Sequence, residues 1–227
     1  MPVRIAVLAS GGGTNLQALI DRFHAREDPP ARVELVVGSR AGIGALARAE
    51  RAGIPAEVLA TGEEGEEGLA ALLAAHRIDL IVLAGYLRLV PDEVVHAYRD
   101  RILNIHPALL PGFGGQGMYG IRVHRAVLEA GVRVTGATVH LVDEHYDRGR
   151  ILAQWPVPVL PGDTPEELAE RVLRVEHLLL PAAVEAFACG GAPAPLSDPL
   201  AFDLTPRPVP QPQSVARLAA ATCTPTS

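Results

Sequence analysis

The sequence predicts an α/β fold, doubly wound around a mostly parallel sheet, with an antiparallel C-terminal portion. Short apolar runs rich in β-branched residues alternate with stretches of Ala, Leu, Arg and Glu through the first half of the chain, which is the rhythm of βαβ units. Residues 5–8 and 80–83 are apolar at every position, as in parallel strands that helices cover on both faces.

The first half supplies four predicted strands and the helices between them. Its strands are predicted at residues 3–9, 33–37, 57–59 and 80–84, and its helices at residues 16–23, 43–52 and 66–76. A short helix is then predicted from Pro91 through Tyr98, and it leads into the second half.

The second half is predicted to end in two neighbouring strands and a long helix. Its elements are a strand at 101–105, a Gly- and Pro-rich loop at 107–120, a helix at 122–129, strands at 134–142 and 151–159 around an acidic turn, and a helix that ends near 187. Thr164 as N-cap, Pro165 at the first helical position and Glu167 closing a capping box mark the start of that helix.

Composition and charge exclude several classes of protein. The 227 residues are 48% hydrophobic, which is enough for a proper core and excludes a disordered or fibrous chain. All 20 basic side chains are Arg and the formal charge is −6, so we expect no broad nucleic-acid surface, although single Arg residues can still grip phosphate or carboxylate. The two cysteines suggest neither a disulfide framework nor a zinc site.

The expected setting is the cytoplasm, with one domain followed by a tail. No signal peptide pattern and no uncharged apolar run near the ~18 residues of a membrane span is found. Residues 1–190 are expected to form one domain, whereas residues 191–227 are expected to be an irregular tail, because eight of the 20 prolines fall in the last 36 residues. A homodimer remains open.

Ligands of an open α/β sheet bind outside the carboxyl ends of its strands, so the segments that follow each strand are the candidates for a site. After the first strand, Gly11, Gly12 and Gly13 precede Thr14 and Asn15 at a helix start, where backbone N–H groups can cradle a phosphate. The alternative is a plain glycine turn. Neither the dinucleotide fingerprint nor a P-loop fits, which favours a monophosphate.

Two further segments follow apolar strands. Residues 85–90, which include Leu87, Arg88, Leu89 and Val90, can line a pocket for a flat organic ligand, or be a buried connector with Arg88 in solvent. Asn104 and His106 lie two apart at a strand end, so period-two geometry aims both side chains the same way. Together they can hold an oxyanion and transfer a proton, whereas a lone His is more often structural.

The fourth segment is the acidic turn between the last two strands. It contains Asp143, Glu144, His145, Tyr146 and Asp147, and its plain interpretation is a solvated charged loop. A carboxylate near His106 is expected to favour the imidazolium and raise its pKa. Periodicity does not show that Asp147 reaches His106.

The other histidines carry less information. His24, His76 and His96 are expected at the surface, His140 is expected to be buried and hydrogen-bonded, and His124 has no predicted place. His177 and Glu176 lie together on the last helix, where either could face the crevice. No metal-ligand pattern is found, so no metal is expected.

Three segments resemble the folate-dependent formyltransferases: Leu83 to Arg88, Asn104 to Pro111, and Gly136 to Asp147. The Asn-x-His-Pro-x-Leu-Leu-Pro element at 104–111 is highly specific. Ser10 to Gln17 narrows the resemblance to members that formylate phosphoribosylglycinamide (GAR), and the similarity covers roughly residues 1–190. It implies a Rossmann-like formyltransferase fold, with a phosphate-binding half at 1–100 and a catalytic and folate-binding half at 101–190.

The resemblance also implies roles for individual residues. Asn104, His106 and Asp147 match the family's catalytic trio. The co-substrate 10-formyltetrahydrofolate is expected along residues 87–90, at Asn104 and against residues 143–147. GAR is expected on two sets of residues: Gly13, Thr14 and Asn15, and Leu173, Arg174, Val175 and Glu176. The implied mechanism is amine attack on the formyl carbon, with the oxyanion held by Asn104 and a protonated His106 that Asp147 keeps charged.

One departure and two alternative functions remain. Family members often carry an Arg before the helix that precedes Leu83, where it contacts the folate carboxylate tail, but residues 61–70 contain none. A formyltetrahydrofolate hydrolase would use similar residues, although the start at Met1 leads us to expect no preceding regulatory domain. A noncatalytic folate or nucleotide module would have no need for Asn104 and His106 together.

Overall fold

In residues 1–59 and 63–190, the part of the chain that the computed structural model describes, seven strands alternate with six helices. The side chains of residues 63–67 are not described. The strands are β1 (Val3–Ala9), β2 (Ala31–Gly38), β3 (Ala56–Val58), β4 (Leu80–Leu83), β5 (Ile102–His106), β6 (Val134–Leu141) and β7 (Ile151–Pro158). The helices are α1 (Thr14–Phe23), α2 (Gly44–Arg51), α3 (Glu63–Ala75), α4 (Asp92–Ala97), α5 (Ile121–Glu129) and α6 (Pro165–Ala188).

The predicted fold class is confirmed. The strands form one sheet in the order β3-β2-β1-β4-β5-β6-β7, in which β1 to β5 pair in parallel and β6 and β7 add in antiparallel fashion. The four residues of β4 are all buried, in agreement with their continuous apolar sequence. Predicted element ends differ from the observed ones by up to three residues, as at α3, which begins at Glu63 rather than at residue 66.

The strand order creates a crevice beside β1. The chain runs outward from β1 to β3 and then returns to the other side of β1 with β4, so the order reverses there. In such sheets the ligand crevice lies outside the carboxyl ends of the strands at this reversal. Two hydrogen bonds join the segments that leave β1 and β4: the Ser10 N–H donates to the Gly85 carbonyl at 3.1 Å, and the Leu87 N–H donates to Ser10 Oγ at 3.0 Å.

The hairpin of β6 and β7 closes one edge of the sheet. A Cβ on Gly149 would lie 1.8 Å from the Leu141 carbonyl oxygen, so only glycine fits where the chain returns from the turn. On the edge strand β7, Pro156 and Pro158 are exposed and lack the N–H that another strand would need, which discourages pairing with a second chain.

The last helix spans the 24 residues Pro165–Ala188 and packs on α1, α5, β6 and β7. Its predicted start is confirmed, because the Thr164 side chain accepts the Glu167 N–H and the Glu167 side chain accepts the Thr164 N–H. Arg171 binds both carboxylate oxygens of Asp163 and the Pro158 carbonyl, which ties the helix to the end of β7.

Two sequence predictions lie outside the described residues. They are the tail at 191–227 and, for the side chains of residues 61–67, most of the Arg-free segment at 61–70. Among the described residues, none of the helices is both long and apolar enough to cross a membrane.

Candidate active site

All four predicted strand exits meet at one cavity of about 880 Å³. Its wall includes Asn15 from the first exit, residues 85–90 from the second, Asn104 and His106 from the third and residues 143–147 from the fourth. Helix α6 adds Leu173 and Glu176. The predicted crevice is therefore present at the carboxyl ends of β1, β4 and β5.

Asn104 is oriented by His140, its neighbour across the β5–β6 ladder. His140 Nδ1 lies 2.7 Å from the Leu141 carbonyl oxygen, which can only accept a hydrogen bond, so Nδ1 carries the proton and Nε2 is left as an acceptor. Asn104 Nδ2 donates to that Nε2 at 3.0 Å. Asn104 Nδ2 also lies 3.5 Å from Asp147 Oδ1, a weak contact that a ligand can replace.

His106 lies between a backbone carbonyl and a carboxylate. Its Nε2 donates to the Phe113 carbonyl at 2.9 Å, and its Nδ1 lies 3.6 Å from Asp147 Oδ2. The imidazole is only 3% exposed. Asp147 thus does reach His106, which the sequence pattern leaves open, and the interpretation of residues 143–147 as a merely solvated loop is wrong for this carboxylate.

Burial decides the pKa of His106. Loss of solvent lowers it more than the Asp147 carboxylate and the Phe113 carbonyl raise it, and the nearby His140 lowers it further. The expected direction, upward through Asp147, is therefore wrong for the net pKa. For Asp147, burial alone would raise the pKa, but the nearby His140 side chain, the charge of His106 and the Gly115 N–H together lower it. A carboxylate thus faces a mainly neutral imidazole near neutral pH.

The loop between β5 and α5 clamps both groups. The Phe113 carbonyl accepts from His106, and the Gly115 N–H donates to Asp147 Oδ2 at 2.8 Å. Phe113 has φ +57° and Asp147 has φ +54°, conformations that are rare for residues with side chains and typical of strained functional sites. A Cβ on Gly114 would lie 2.5 Å from Leu110 Cδ2 and 3.1 Å from Asp147 Cβ, so a side chain there would crowd both residues.

The glycine segment leads into the uncapped N-terminal end of α1. Gly13 stands at the N-cap with φ +74°, and no described side chain caps the first turn, so its backbone N–H groups remain available to a ligand. Gly13 is held close to α2, because a Cβ there would lie 2.6 Å from the Ala45 Cα. The plain glycine turn and the phosphate cradle both remain open on geometry alone.

Asn15 and Glu176 form a buried pair in the cavity wall. Asn15 Nδ2 donates to Glu176 Oε2 at 2.7 Å, and Asn15 Oδ1 is buried with no described partner. Burial raises the pKa of Glu176 to about 6, although the hydrogen bond from Asn15 opposes the shift. The wall therefore offers an unused acceptor beside a carboxyl group that changes charge near neutral pH.

Arg88 turns away from solvent. Its guanidinium donates to the Ser39 carbonyl and, at 3.4 Å, to the Leu59 carbonyl. This excludes the interpretation of residues 85–90 as a connector with a solvated Arg88. Leu87 and Leu89 are about half exposed while they line the cavity, so they supply apolar surface for a ligand.

Helix α6 presents only part of its predicted set to the cavity. Leu173 and Glu176 are three residues apart and share the inner face. Arg174 is exposed and donates to the Glu170 carbonyl of its own helix, while Val175 is buried in the core. The geometry therefore gives these two no contact with the cavity, because 100° per residue turns them away.

His124 and His140 both contribute to the site beyond what the sequence pattern predicts. His124 on α5 lines the cavity, is 4% exposed and has a pKa that burial, together with the charge of His106, lowers to about 4. His140 is buried and hydrogen-bonded as predicted, yet it also orients Asn104. Of the predicted surface histidines, His96 is exposed, whereas His24 and His76 are half-buried.

Glu144 lies exposed at the edge of the cavity. Glu144 lies 3.3 Å from His96 and 3.6 Å from Arg99 on the neighbouring α4 segment, and His145 and Tyr146 are exposed at the cavity mouth. Among the described residues, no group of three His, Cys, Asp or Glu side chains is placed to hold a metal ion.

Comparisons with known proteins agree on one family. Residues 3–184 match the Formyl transferase family. The chain is 47% identical over 182 residues to the chloroplastic phosphoribosylglycinamide formyltransferase of Arabidopsis thaliana, an alignment that covers 78% of this chain and 62% of that protein's length. The chain thus spans less than two thirds of this relative.

Solved structures give the same result. The glycinamide ribonucleotide transformylase 1 of Symbiobacterium toebii has a TM-score of 0.77 and 44% identity, covering 83% of this chain and 89% of that one. A formyltetrahydrofolate deformylase of Pseudomonas syringae pv. tomato has a TM-score of 0.76 but 25% identity, covering 84% of this chain and 62% of that one. The fold is common to both, and the sequence is closer to the transformylase.

Proposed function

The chain belongs to the formyl transferase family, and on that premise we propose that it transfers the formyl group of 10-formyltetrahydrofolate to the amine of GAR. The products are formyl-GAR and tetrahydrofolate, in purine (IMP) biosynthesis. The observation that carries the proposal is the convergence of Asn104, His106 and Asp147 in one cavity. The 47% identity to the phosphoribosylglycinamide formyltransferase of Arabidopsis thaliana supports GAR as the acceptor.

GAR is assigned to the β1 side of the cavity. Its phosphate takes the free N–H groups of Gly13, Thr14 and Asn15 at the start of α1, where the helix dipole favours an anion. Its glycinamide end lies beside Asn15 and Glu176. Asn15 Oδ1, which has no described partner, and the Glu176 carboxyl group can accept hydrogen bonds from the N–H groups of GAR. Leu173 borders this end, while Arg174 and Val175 support it only through α6.

The formyl donor is assigned to the β4 side. The flat pterin ring packs along residues 87–90 and against residues 143–147, where half-exposed leucines give apolar contacts and the side chains of the turn give polar ones. This placement brings the formyl group to Asn104 and Asp147. No residue is assigned to bind the carboxylate tail of the folate.

The chemistry moves one proton. The neutral amine attacks the formyl carbon, the carbonyl oxygen becomes an oxyanion, and the amine proton passes to His106 Nδ1, which faces Asp147 at 3.6 Å. The imidazolium then shares stabilisation of the oxyanion with Asn104. When the bond to N10 of the folate breaks, N10 takes the proton. This order suits a His106 whose pKa is lowered in the free protein, because it begins neutral and becomes charged only in the intermediate.

Asn104 supplies the oxyanion donor. Its hydrogen bond to His140 fixes the amide plane, and the second N–H, whose contact with Asp147 is weak at 3.5 Å, is available to donate to the oxyanion. Holding both substrates in this geometry can contribute up to ~7–11 kcal/mol to the lowering of the barrier.

Residues 1–190 form the catalytic domain, and the partners are GAR and the formyl folate, with neither nucleic acid nor membrane. The enzyme works in the cytoplasm and needs no metal. A measurement of molar mass in solution tests whether two copies of the chain form a homodimer.

The first test is formyl release from 10-formyltetrahydrofolate, followed by absorbance with and without GAR. We expect release only with GAR and detection of formyl-GAR by mass spectrometry. Equal release without GAR would instead mean a hydrolase like the Pseudomonas deformylase and would remove the phosphate assignment at residues 13–15. Asn104→Ala is the matched inactive control: it is expected to fold normally and turn over 10²–10³-fold more slowly, the usual cost of an oxyanion donor.

A further inference from the structure

The glycine segment between β1 and α1 is fastened to α2 at two consecutive carbonyls. The Ala45 N–H at the start of α2 donates to the Gly11 carbonyl at 3.1 Å. One turn along the helix, Arg48 Nε donates to the Gly12 carbonyl at 2.8 Å. A Cβ on Gly44 would lie 2.9 Å from the Gly12 oxygen, so glycine also stands where α2 approaches the segment.

These two bonds set the direction of the next N–H groups. In a trans peptide the C=O and the following N–H point in opposite directions. Because the Gly11 and Gly12 carbonyls are held toward α2, the N–H groups of Gly12 and Gly13 point away from it. They therefore join the free N–H groups of the first turn of α1 as donors to an anion.

Arg48 is itself held in place. Its Nη1 donates to Gln17 Oε1 at 3.0 Å, and Gln17 Nε2 donates in turn to Asp21 Oδ1 at 2.8 Å. Gln17 and Asp21 lie one turn apart on α1, so the guanidinium bridges α1, α2 and the glycine segment. A planar guanidinium with several fixed donors suits this three-way contact better than an ammonium group.

The charge of Arg48 matters as much as its geometry. The chain contains no Lys. On α6, the cavity-lining residue Leu173 is apolar, so it brings no positive charge to the site. Arg174 on the same helix is exposed and bonded to its own backbone. Arg48 is thus a guanidinium fixed directly on the glycine segment, where its charge favours a phosphate dianion.

We infer that Arg48 is a positioning and specificity-determining residue for the acceptor's phosphate. It holds the Gly12 carbonyl out of the cradle, aims the Gly13 N–H toward the anion and adds a positive charge on the far side of the same peptide. The inference rests on the proposed function in naming GAR, but its chemistry applies to any phosphomonoester bound at residues 13–15.

The test compares Arg48→Ala and Arg48→Lys with Arg51→Ala. Arg51 is a matched control, because it lies one turn along α2, is exposed and donates to its own helix at Ala47. Binding of ribose 5-phosphate is measured by calorimetry, and KM for GAR, KM for the formyl folate, kcat and Tm are measured for each variant.

We expect Arg48→Ala to weaken ribose 5-phosphate binding and to raise the GAR KM about 10-fold or more, because the Gly13 N–H is no longer held toward the anion and a nearby positive charge is lost. The folate KM and kcat should change little, whereas Tm should fall slightly because the ties of Arg48 to Gly12 and Gln17 are lost. Arg48→Lys should recover part of the loss by restoring the charge, and Arg51→Ala should match the wild type.

Two results would overturn the inference. One is an Arg48→Ala protein that binds ribose 5-phosphate as tightly as Arg51→Ala does, and the other is a fall in Tm with both KM values raised, which would show a merely structural role. Failure of the proposed function looks different: the wild type would not formylate GAR, yet Arg48→Ala would still weaken ribose 5-phosphate binding.

Discussion

His106 shows how burial and charge compete at a single residue. Its imidazole is 3% exposed and 3.6 Å from a carboxylate, and the two surroundings push its pKa in opposite directions. Since burial wins, the neutral form predominates above the lowered pKa. A neutral imidazole can take a proton from an amine, so the activity should rise with pH through the His106 pKa and then level off.

Asp147→Asn tests this relation. Removing the carboxylate takes away the main influence that raises the His106 pKa, so we expect the acid limb of the kcat/KM profile to move to lower pH. The plateau rate should also fall, because the imidazolium formed in the intermediate loses its counter-charge. The profile is measured with saturating formyl folate, and Asp143→Asn in the same turn is the control. An acid limb that stays in place would remove Asp147 from its assigned role.

Glu176 is a second residue whose burial has a measurable cost. Its pKa is raised to about 6 against an ordinary 4.5, so its charged form is disfavoured in the folded state. Its contribution to stability is therefore full below about pH 4.5 and is lost as the pH rises through about 6. Glu176→Gln keeps the acceptor for Asn15 and removes this cost.

We expect Glu176→Gln to stabilise the protein at pH 8 by on the order of 1–2 kcal/mol and to leave it almost unchanged at pH 4.5. The GAR KM should rise, because the acceptor contact becomes weaker. The measurement is urea unfolding at both pH values, with the exposed Glu170→Gln of the same helix as control. If Glu176→Gln changes the free energy of unfolding equally at both pH values, Glu176 is not buried in its charged form.

Part of the site follows from residue spacing and part does not. Asn104 and His106 share a direction because a strand has a period of two, so the pair is predictable from sequence. His124 reaches the same cavity from α5, and His140 orients Asn104 from the next strand, so both depend on tertiary packing. The sign of the His106 pKa depends on burial, which no spacing reveals.

The β6–β7 hairpin is the element that carries Asp147 to the site. Gly149 begins its return, and the Leu141 N–H donates to the Arg150 carbonyl at 2.9 Å just beside it. Since a Cβ on Gly149 would lie 1.8 Å from the Leu141 oxygen, the strand and the turn before it must move to accept a side chain.

Gly149→Ala should therefore destabilise the protein by about 1–3 kcal/mol, as overpacking does, and raise the KM for the formyl folate. The stability change is measured by urea unfolding. Gly68→Ala is the opposite control, because a Cβ there meets no atom within 4 Å and Ala is favoured in a helix by ~1 kcal/mol. A Gly149→Ala protein as stable as the wild type would mean that the turn adapts without moving Asp147.

Element ends show what local sequence can fix. The start of α6 was predictable to the residue, because Thr164, Pro165 and Glu167 form a local hydrogen-bonded unit. The start of α1 was not, because Gly13 and Thr14 belong to a turn that no described side chain caps. Where local chemistry closes the helix end the pattern suffices, and where packing against a neighbouring helix sets it the pattern does not.

At the scale of the molecule, the strand order determines which segments can react together. Periodicity predicts that β1, β4 and β5 exist, yet it does not order them in space. The reversal at β1 places the exits of β1 and β4 side by side, and the antiparallel β6 returns the turn at residues 143–147 to the exit of β5. Residues 161 apart in sequence, Asn15 and Glu176, consequently share a hydrogen bond.

This arrangement leads to a prediction about the extent of the catalytic unit. Every described cavity residue lies between Asn15 and Glu176, and α6, which packs on α1 and the hairpin, ends at Ala188. A chain ending at residue 190 should therefore keep kcat and both KM values within roughly twofold of the 227-residue chain, because it retains every described cavity residue. The two chains are compared by steady-state kinetics and by urea unfolding. If the shorter chain folds with the same stability but loses formyl transfer, residues beyond 190 contribute directly to the reaction. If it loses stability instead, those residues belong to the folded domain and the boundary at 190 is wrong.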